Sequence, residues 1–373
     1  MPAYLDHAAT TPLRPEALEA MLPYLTEHYG NPSGAHGVSR AARLAVDEAR
    51  DEVARCLGCE PGEVVFTGGG TEADNLALAG ARGVAGGTVV CTSVEHHAVL
   101  HATEALGGVV VPVDGDGVVD LDRLSDALHP GVSVVSVMLA NNEVGVVEPL
   151  DEVAAVVHDR APGAVLHTDA VQAFLWLDVA RLAAGAELVA VSTHKFGGPK
   201  GVGALVVRDG VRVAPIIHGG GQERRRRSGT HNVAGIVGMA AAMRSTVAER
   251  AAVVERVAAL RDRLADGLAG AVPGVRETVP RDRKVAGSCH LRFEGVESEA
   301  LLVLLDEQGV CASAGSACAS GAMEPSHVLT AMGVGRADAL SSVRLSLGPT
   351  TSDDDVDLVL KVLPDAVARL REG

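Results

Sequence analysis

The sequence predicts an α/β protein: a large domain built on a mostly parallel seven-stranded sheet, followed by a smaller C-terminal α/β domain. Three observations carry this. Seven short apolar runs alternate with stretches of helical spacing, and repeated strand–helix units favour parallel strands with helices on both faces. The chain is 47% hydrophobic but only 2% aromatic, with 43 glycines, so its core must be Ala, Val and Leu carried on short elements. Finally, 373 residues is large for one compact core, and a long helical stretch near residues 234–268 stands where a bridge into a second domain would.

Leu18, Met21, Leu22 and Leu25 give residues 16–29 helical spacing before Asn31-Pro32-Ser33-Gly34 breaks the chain. Ala42, Val46, Ala49 and Val53 mark a second amphipathic helix from Ser39 to Leu57. Glu63–Thr67 reads as a strand and Gly68-Gly69-Gly70 as a turn, with Thr71 placed to cap the next helix. Further strands follow at Thr88–Thr92, Gly108–Pro112, Val132–Met138, Val165–Thr168, Leu188–Val191 and Val202–Val207. The last lies so close behind its predecessor that antiparallel pairing is expected. Leu150–His158 is one of the intervening helices, and a helix over Asp353–Leu370 closes the smaller domain.

The formal net charge of −16 disfavours bulk binding to nucleic acid or anionic lipid. The one basic cluster, Arg224–Arg227, is short and reads as a solvated loop. Of the six cysteines, Cys56 and Cys59 form a lone CxxC with no second pair or nearby histidine, so no metal site is expected. The N-terminal residues carry no basic segment followed by an apolar run, and no later stretch resembles a membrane span; a soluble, cytoplasmic protein is expected.

Three motifs point to one cofactor. Gly68-Gly69-Gly70-Thr71-Glu72, between a strand and a helix, offers backbone N–H groups and a hydroxyl to an anion, yet matches neither nucleotide-binding glycine pattern. Leu166–Gln172 delivers Asp169 at the end of an apolar strand, suited to a cationic partner such as a protonated pyridine nitrogen. Val189–Gly201 delivers Ser192, His194 and Lys195 at the end of the next strand. Alone, each has a bland reading as a glycine turn, a helix cap or a surface lysine. An anion cradle, a carboxylate and an amine on neighbouring strands are together what pyridoxal phosphate requires, with Lys195 as the Schiff-base lysine. A fourth element, Ala312–Gly321, is a run of tiny residues around a single thiol, Cys318, which suits a mobile nucleophile.

These residues resemble the first group of cysteine desulfurases, the NifS-like class within the fold-type I pyridoxal-phosphate enzymes. The likeness runs from Tyr4–Pro12 through Gly70–Asn75, Glu95-His96, Asn141–Gly145, Asp169–Gln172, His194-Lys195 and Arg227–Thr230 to Gly315–Cys318 and Ser341–Gly348. It implies a large domain over 15–255, and a small one formed by 1–14 with 256–373 that carries the cysteine loop. It implies that Gly70, Thr71, Ser192 and His194 hold the phosphate, with Thr230 reaching across a homodimer interface. By the same likeness His96 stacks on the ring and moves protons, Asp169 meets the ring nitrogen, and Gln172 meets the phenolic oxygen. Asn142 lies beside that oxygen and the substrate, and Arg344 clamps the substrate carboxylate. Departures from the pattern are His97, Thr193 and the long arginine run, none of which touches the chemistry directly.

The implied activity removes sulfur from L-cysteine as a persulfide on Cys318, leaving L-alanine, and passes the sulfur to acceptor proteins of iron–sulfur assembly or of tRNA or DNA thiolation. An aminotransferase of the same fold would keep Lys195 and Asp169 but has no use for the thiol. A selenocysteine lyase, and a scaffold with a relic cofactor site, are the other readings left open.

Overall fold

The computed structural model describes residues 2–314 and 324–372. Strand β1 (Ala3–Tyr4) is followed by helices α1 (Pro15–Thr26) and α2 (Gly37–Leu57). Strands and helices then alternate: β2 (Val64–Thr67), α3 (Gly70–Ala85), β3 (Thr88–Thr92), α4 (His97–Ala105), β4 (Val109–Val111) and α5 (Leu121–Ala127). The alternation continues with β5 (Val132–Ser136), α6 (Leu150–Arg160), β6 (Val165–Asp169), α7 (Val179–Leu182), β7 (Leu188–Ser192) and β8 (Gly203–Val207). Helix α8 (Val233–Ala271) leads to β9 (Val275–Glu277), β10 (Ser288–Phe293), α9 (Ser298–Glu307) and β11 (Val310–Cys311). After residue 323 come α10 (His327–Ala331), α11 (Arg336–Leu340), β12 (Ser342–Ser346) and α12 (Asp353–Glu372).

The large sheet has seven strands in the order β2-β8-β7-β6-β5-β3-β4. Strands β3 to β7 are parallel to one another, and β8 runs antiparallel to both β7 and β2. The expected reversal of β8 has a simple cause: residues 193–202 hold only a short 3-10 turn, too little chain for a crossover helix. Strands β5, β7 and β8 are buried along their whole length, as continuous apolar runs covered on both faces must be. All four phenylalanines, Phe66, Phe174, Phe196 and Phe293, are buried, as is the one tryptophan, Trp176.

A second sheet, β12-β10-β9, is antiparallel, and β1 pairs in parallel with β11 beside it. Helix α8 serves both ends of the molecule. Its first turns bury Ile236, Met239 and Met243 in contact with α1 and α2, whereas Val257, Leu264 and Leu268 are buried near α12 and β10.

One local expectation is corrected. Thr71 does not cap α3; that position belongs to Gly69, at a φ of 149°, and the helix begins at Gly70. A residue with a Cβ rarely adopts this backbone, so glycine lets the helix start early. The Thr71 hydroxyl is thereby left outside the cap.

Candidate active site

The carboxyl ends of β2, β3, β5, β6 and β7 converge on a cavity of about 170 Å³. It is lined by Gly70, Thr71, Asp74, His96, Met138, Asn142, Asp169, Val171, Gln172, Ser192, His194 and Lys195. Nine of these were named from the sequence; Asp74, Met138 and Val171 were not. Gly70, Thr71, Ser192 and His194 also line a wider opening of about 740 Å³, together with Thr10, Lys200 and Ile216.

That opening is suited to an anion. The first N–H groups of α3 have no partner within the helix, and the helix dipole favours negative charge there. A Cβ on Gly70 would stand 2.8 Å from the Val171 side chain, so only glycine fits between helix and strand end. His194 has its Nδ1 3.2 Å from Thr10 Oγ1, and burial, then Lys195 and Lys200, lower its pKa to about 4. It is therefore a neutral imidazole at pH 7.

Opposite lies the carboxylate end. Asp169 Oδ1 accepts from Val171 N at 2.8 Å, and burial raises its pKa against the pull of His96, that N–H and Lys195. His96 caps α4, its Nδ1 accepting from Ala98 N at 3.1 Å, so in the neutral ring Nε2 carries the proton. The turn that presents His96 is held by buried Glu95, which accepts from Thr92 Oγ1 and Met138 N. Asn141 fixes the turn that presents Asn142: its Oδ1 accepts from Glu143 N and Val144 N while its Nδ2 donates to Val94 O. Among the described residues, Asp74, His96 and Asp169 also place their possible ligand atoms within 4.8 Å of one another.

Between the two ends stands Lys195. Its Nζ donates to the carbonyls of Ala8 at 2.5 Å and Ala9 at 3.0 Å, so the N-terminal segment forms one wall. Burial, then the Arg344 charge, lowers its pKa to about 8. Arg344, from β12, donates to Asn142 O and to Asp6 Oδ1, both at 2.9 Å, which fixes its guanidinium beside the cavity. Its backbone pairs with Ser313, on the stem that leads into residues 315–323. Cys318 lies outside the described residues.

Thr230 does not line the cavity; it is exposed. It follows a turn in which Glu223, Arg224 and Arg225 have consecutive φ values of 47°, 55° and 66°. Glu223 pins this turn from inside, taking Arg50 in a two-pronged pair at 2.7 and 2.9 Å, Phe66 N at 3.0 Å and His231 Nε2 at 2.6 Å. The arginine run is thus only partly a solvated loop. Arg224 and Arg225 are exposed, whereas Arg227 pairs with Glu72 at 2.8 Å.

The aminotransferase class-V family model matches residues 3–359. A cysteine desulfurase IscS of Methanosarcina thermophila is 43% identical, covering 99% of this chain and 92% of that protein. An IscS-like cysteine desulfurase of Mycobacterium tuberculosis is 47% identical, covering 100% of this chain and 98% of that one. A solved NifS-like protein superposes with a TM-score of 0.93 at 36% identity, over 99% of this chain and 100% of its own. Likeness at this level, end to end in both sequence and fold, means that the chain belongs to the aminotransferase class-V family, beside the IscS- and NifS-type cysteine desulfurases.

Proposed function

We infer that this chain is a pyridoxal-phosphate-dependent cysteine desulfurase that takes sulfur from L-cysteine and leaves L-alanine. The observation that carries the reading is the cavity itself. A half-buried amine of lowered pKa, Lys195, and a buried carboxylate, Asp169, line one cavity whose anion end opens at a glycine turn and a helix start.

The residues fit the cofactor. Gln172 Oε1 is buried without a hydrogen-bond partner, as expected of a group that awaits one. The α3 N-terminus, Thr71, Ser192 and His194 would hold the phosphate; Asp169, Gln172, His96 and Asn142 would surround the ring. When bound, pyridoxal phosphate supplies an aldehyde for an amine and a ring that accepts electrons from the substrate's α-carbon.

The chain's own groups do the rest. With a pKa near 8, Lys195 Nζ can give up its proton near neutral pH and then take one from the substrate α-carbon. Arg344, oriented by Asp6 and the Asn142 carbonyl, receives the substrate carboxylate. His96 Nε2–H serves as a proton donor on the open side of the site. Cys318, as thiolate, takes the sulfur as a persulfide, from which acceptor proteins draw it. The pairing of Ser313 with Arg344 supports a cysteine loop rooted at the substrate end.

The assembly proposed is a cytoplasmic homodimer with Thr230 reaching the partner's phosphate site. Leu18, Leu22 and Leu25 of α1 and nearby Tyr29 are 44–79% exposed, an apolar stripe that a second copy would cover. Residues 15–255 form the large domain, and 1–14 with 256–373 the small one. No described helix is long and apolar enough to cross a membrane.

Two variants test the chemistry. Lys195→Ala should lose the visible absorbance of the bound cofactor and all turnover. Cys318→Ser should keep that absorbance and still perturb it on adding cysteine, yet release no sulfide and carry no persulfide. Near-normal sulfide release from Cys318→Ser would make that thiol structural and overturn the reading.

A further inference from the structure

Strand β6 alternates its side chains, so His167 and Asp169 project from the same face. Asp74 meets them there, one helical turn into α3 from the glycine turn at Gly70. All three are essentially removed from solvent: Asp74 is 1% exposed, Asp169 4% and His167 0%. Asp74 and Asp169 both line the cavity. Asp74 Oδ1 has no hydrogen-bond partner, and neither has His167 Nε2, yet these two atoms face each other at 3.5 Å. The other ring nitrogen, His167 Nδ1, lies 2.8 Å from Ser136 Oγ on the adjacent strand.

Resting on the pyridoxal-phosphate reading above, we propose that Asp74 and Asp169 act as one carboxylate pair that holds a single proton and gives it to the cofactor's ring nitrogen, with His167 positioning Asp74. Two buried carboxylates whose oxygens lie within 4.8 Å of one another do not both ionise without a cation beside them. The proton belongs with Asp74. Burial, then Asp169 and Glu95, push its pKa well up, whereas Asp169 is favoured as the anion by His96 and Lys195. Burial raises the Glu95 pKa as well, and His167 is held neutral, its pKa lowered by burial to about 3. Asp74, Asp169, Glu95, His96, His167 and Lys195 are thus the titratable groups that bear on the pair.

The step balances. The Asp74 O–H bond breaks and a ring N–H bond forms; the pair goes from one negative charge to two as the ring gains one positive. No proton is drawn from solvent, and both carboxylates then face a cation.

The test compares wild type with Asp74→Asn, which keeps the shape but cannot supply the proton. Asp74→Ser serves as a second variant should asparagine repack against His167. Pyridoxal phosphate is titrated into cofactor-free protein at pH 7.5 by calorimetry in buffers of different ionisation enthalpy. Both variants should take up one more proton per site than wild type and bind about tenfold more weakly. In cofactor-free protein, the midpoint of thermal unfolding should fall with rising pH in wild type as the buried pair is forced to ionise, and fall less in Asp74→Asn. Equal proton uptake and equal pH slopes in wild type and both variants, with cofactor still bound at Lys195, overturn the shared proton and leave the desulfurase reading standing. Failure of wild type to bind pyridoxal phosphate overturns both.

Discussion

Lys195 illustrates how little of a cavity lysine's behaviour is local. Its neighbours in sequence are His194 and Phe196, but the groups that set its proton affinity come from elsewhere. The Ala8 and Ala9 carbonyls hold the ammonium, while burial and Arg344 oppose the charge. The unfolded lysine titrates near 10.5 and the folded one near 8, so the reactive neutral amine gains population as pH rises through about 8. Uptake of pyridoxal phosphate by the cofactor-free protein, followed by stopped-flow absorbance, should therefore accelerate with pH and level off above about 8. Replacing Arg344 by Ala removes a like charge and should move that profile to higher pH, whereas Arg344→Lys should keep it near its place. An unchanged profile in Arg344→Ala would disconnect the two residues. Asp169 and Lys195 were both legible from strand ends in the sequence. Asp74 was not, because one acidic residue in the first turns of a helix ordinarily reads as dipole compensation or a solvated face.

At the scale of elements, the turn at Glu223–Arg225 departs furthest from local rules. Three consecutive non-glycine residues sit in the left-handed region, each costing on the order of 1–2 kcal/mol. Their hold is Glu223, buried against Arg50 and bonded to Phe66 N and His231. Burial alone would raise the Glu223 pKa, but the bonds to His231 and Arg50 outweigh it and bring it to about 2, against 4.5 for a free glutamate. A depressed carboxylate contributes stability above its unfolded pKa that is lost as pH falls through its folded one. Wild type should lose this contribution between about pH 4.5 and 2, and Glu223→Gln should lack that component. At pH 7 the same variant should be destabilised by about 3 kcal/mol, since Arg50 keeps its buried charge without a partner. Denaturant unfolding checks the magnitude; a loss below about 0.5 kcal/mol would show the turn to be held otherwise. From the sequence, four arginines after a glutamate read as solvated loop. Nothing in them signals that Glu223 points inward, because its partner Arg50 is on a different helix.

For the whole molecule the question is what completes the phosphate end. The wide opening beside Gly70, Thr71 and His194, the exposure of Thr230 and the apolar stripe on α1 would all be answered by the second copy in the proposed dimer. Thr230→Ala should leave the dimer intact and weaken cofactor retention by one charge-assisted hydrogen bond, about 1.5–3 kcal/mol. Co-expression of differently tagged Thr230→Ala and Lys195→Ala subunits decides whether the hydroxyl acts across the interface. A shared site places both lesions together and leaves the other site whole, so the purified mixed dimer should recover one working site. A mixed dimer without activity, or a fully active monomer by ultracentrifugation, would end the shared-site proposal.

The sequence alone determined the alternation of strands and helices, the seven-stranded, mostly parallel sheet with its reversed β8, and the order of the chemical motifs. These are local properties: apolar periodicity, glycine turns and the side chain that ends a strand are written within a few residues of where they act. The tertiary structure alone decided that Gly69 rather than Thr71 caps α3, that Asp74 lies beside both Asp169 and His167, and that Lys195 rests on the Ala8 and Ala9 carbonyls. It also decided that Arg344 is aimed by Asp6, and that a left-handed turn is pinned by Arg50 through Glu223. Apart from the start of α3, each of these joins residues far apart in the chain. Their geometry and proton affinities are set by burial and by the approach of distant charges, and those exist only once the sheet, the N-terminal segment and the C-terminal strands have packed around the site.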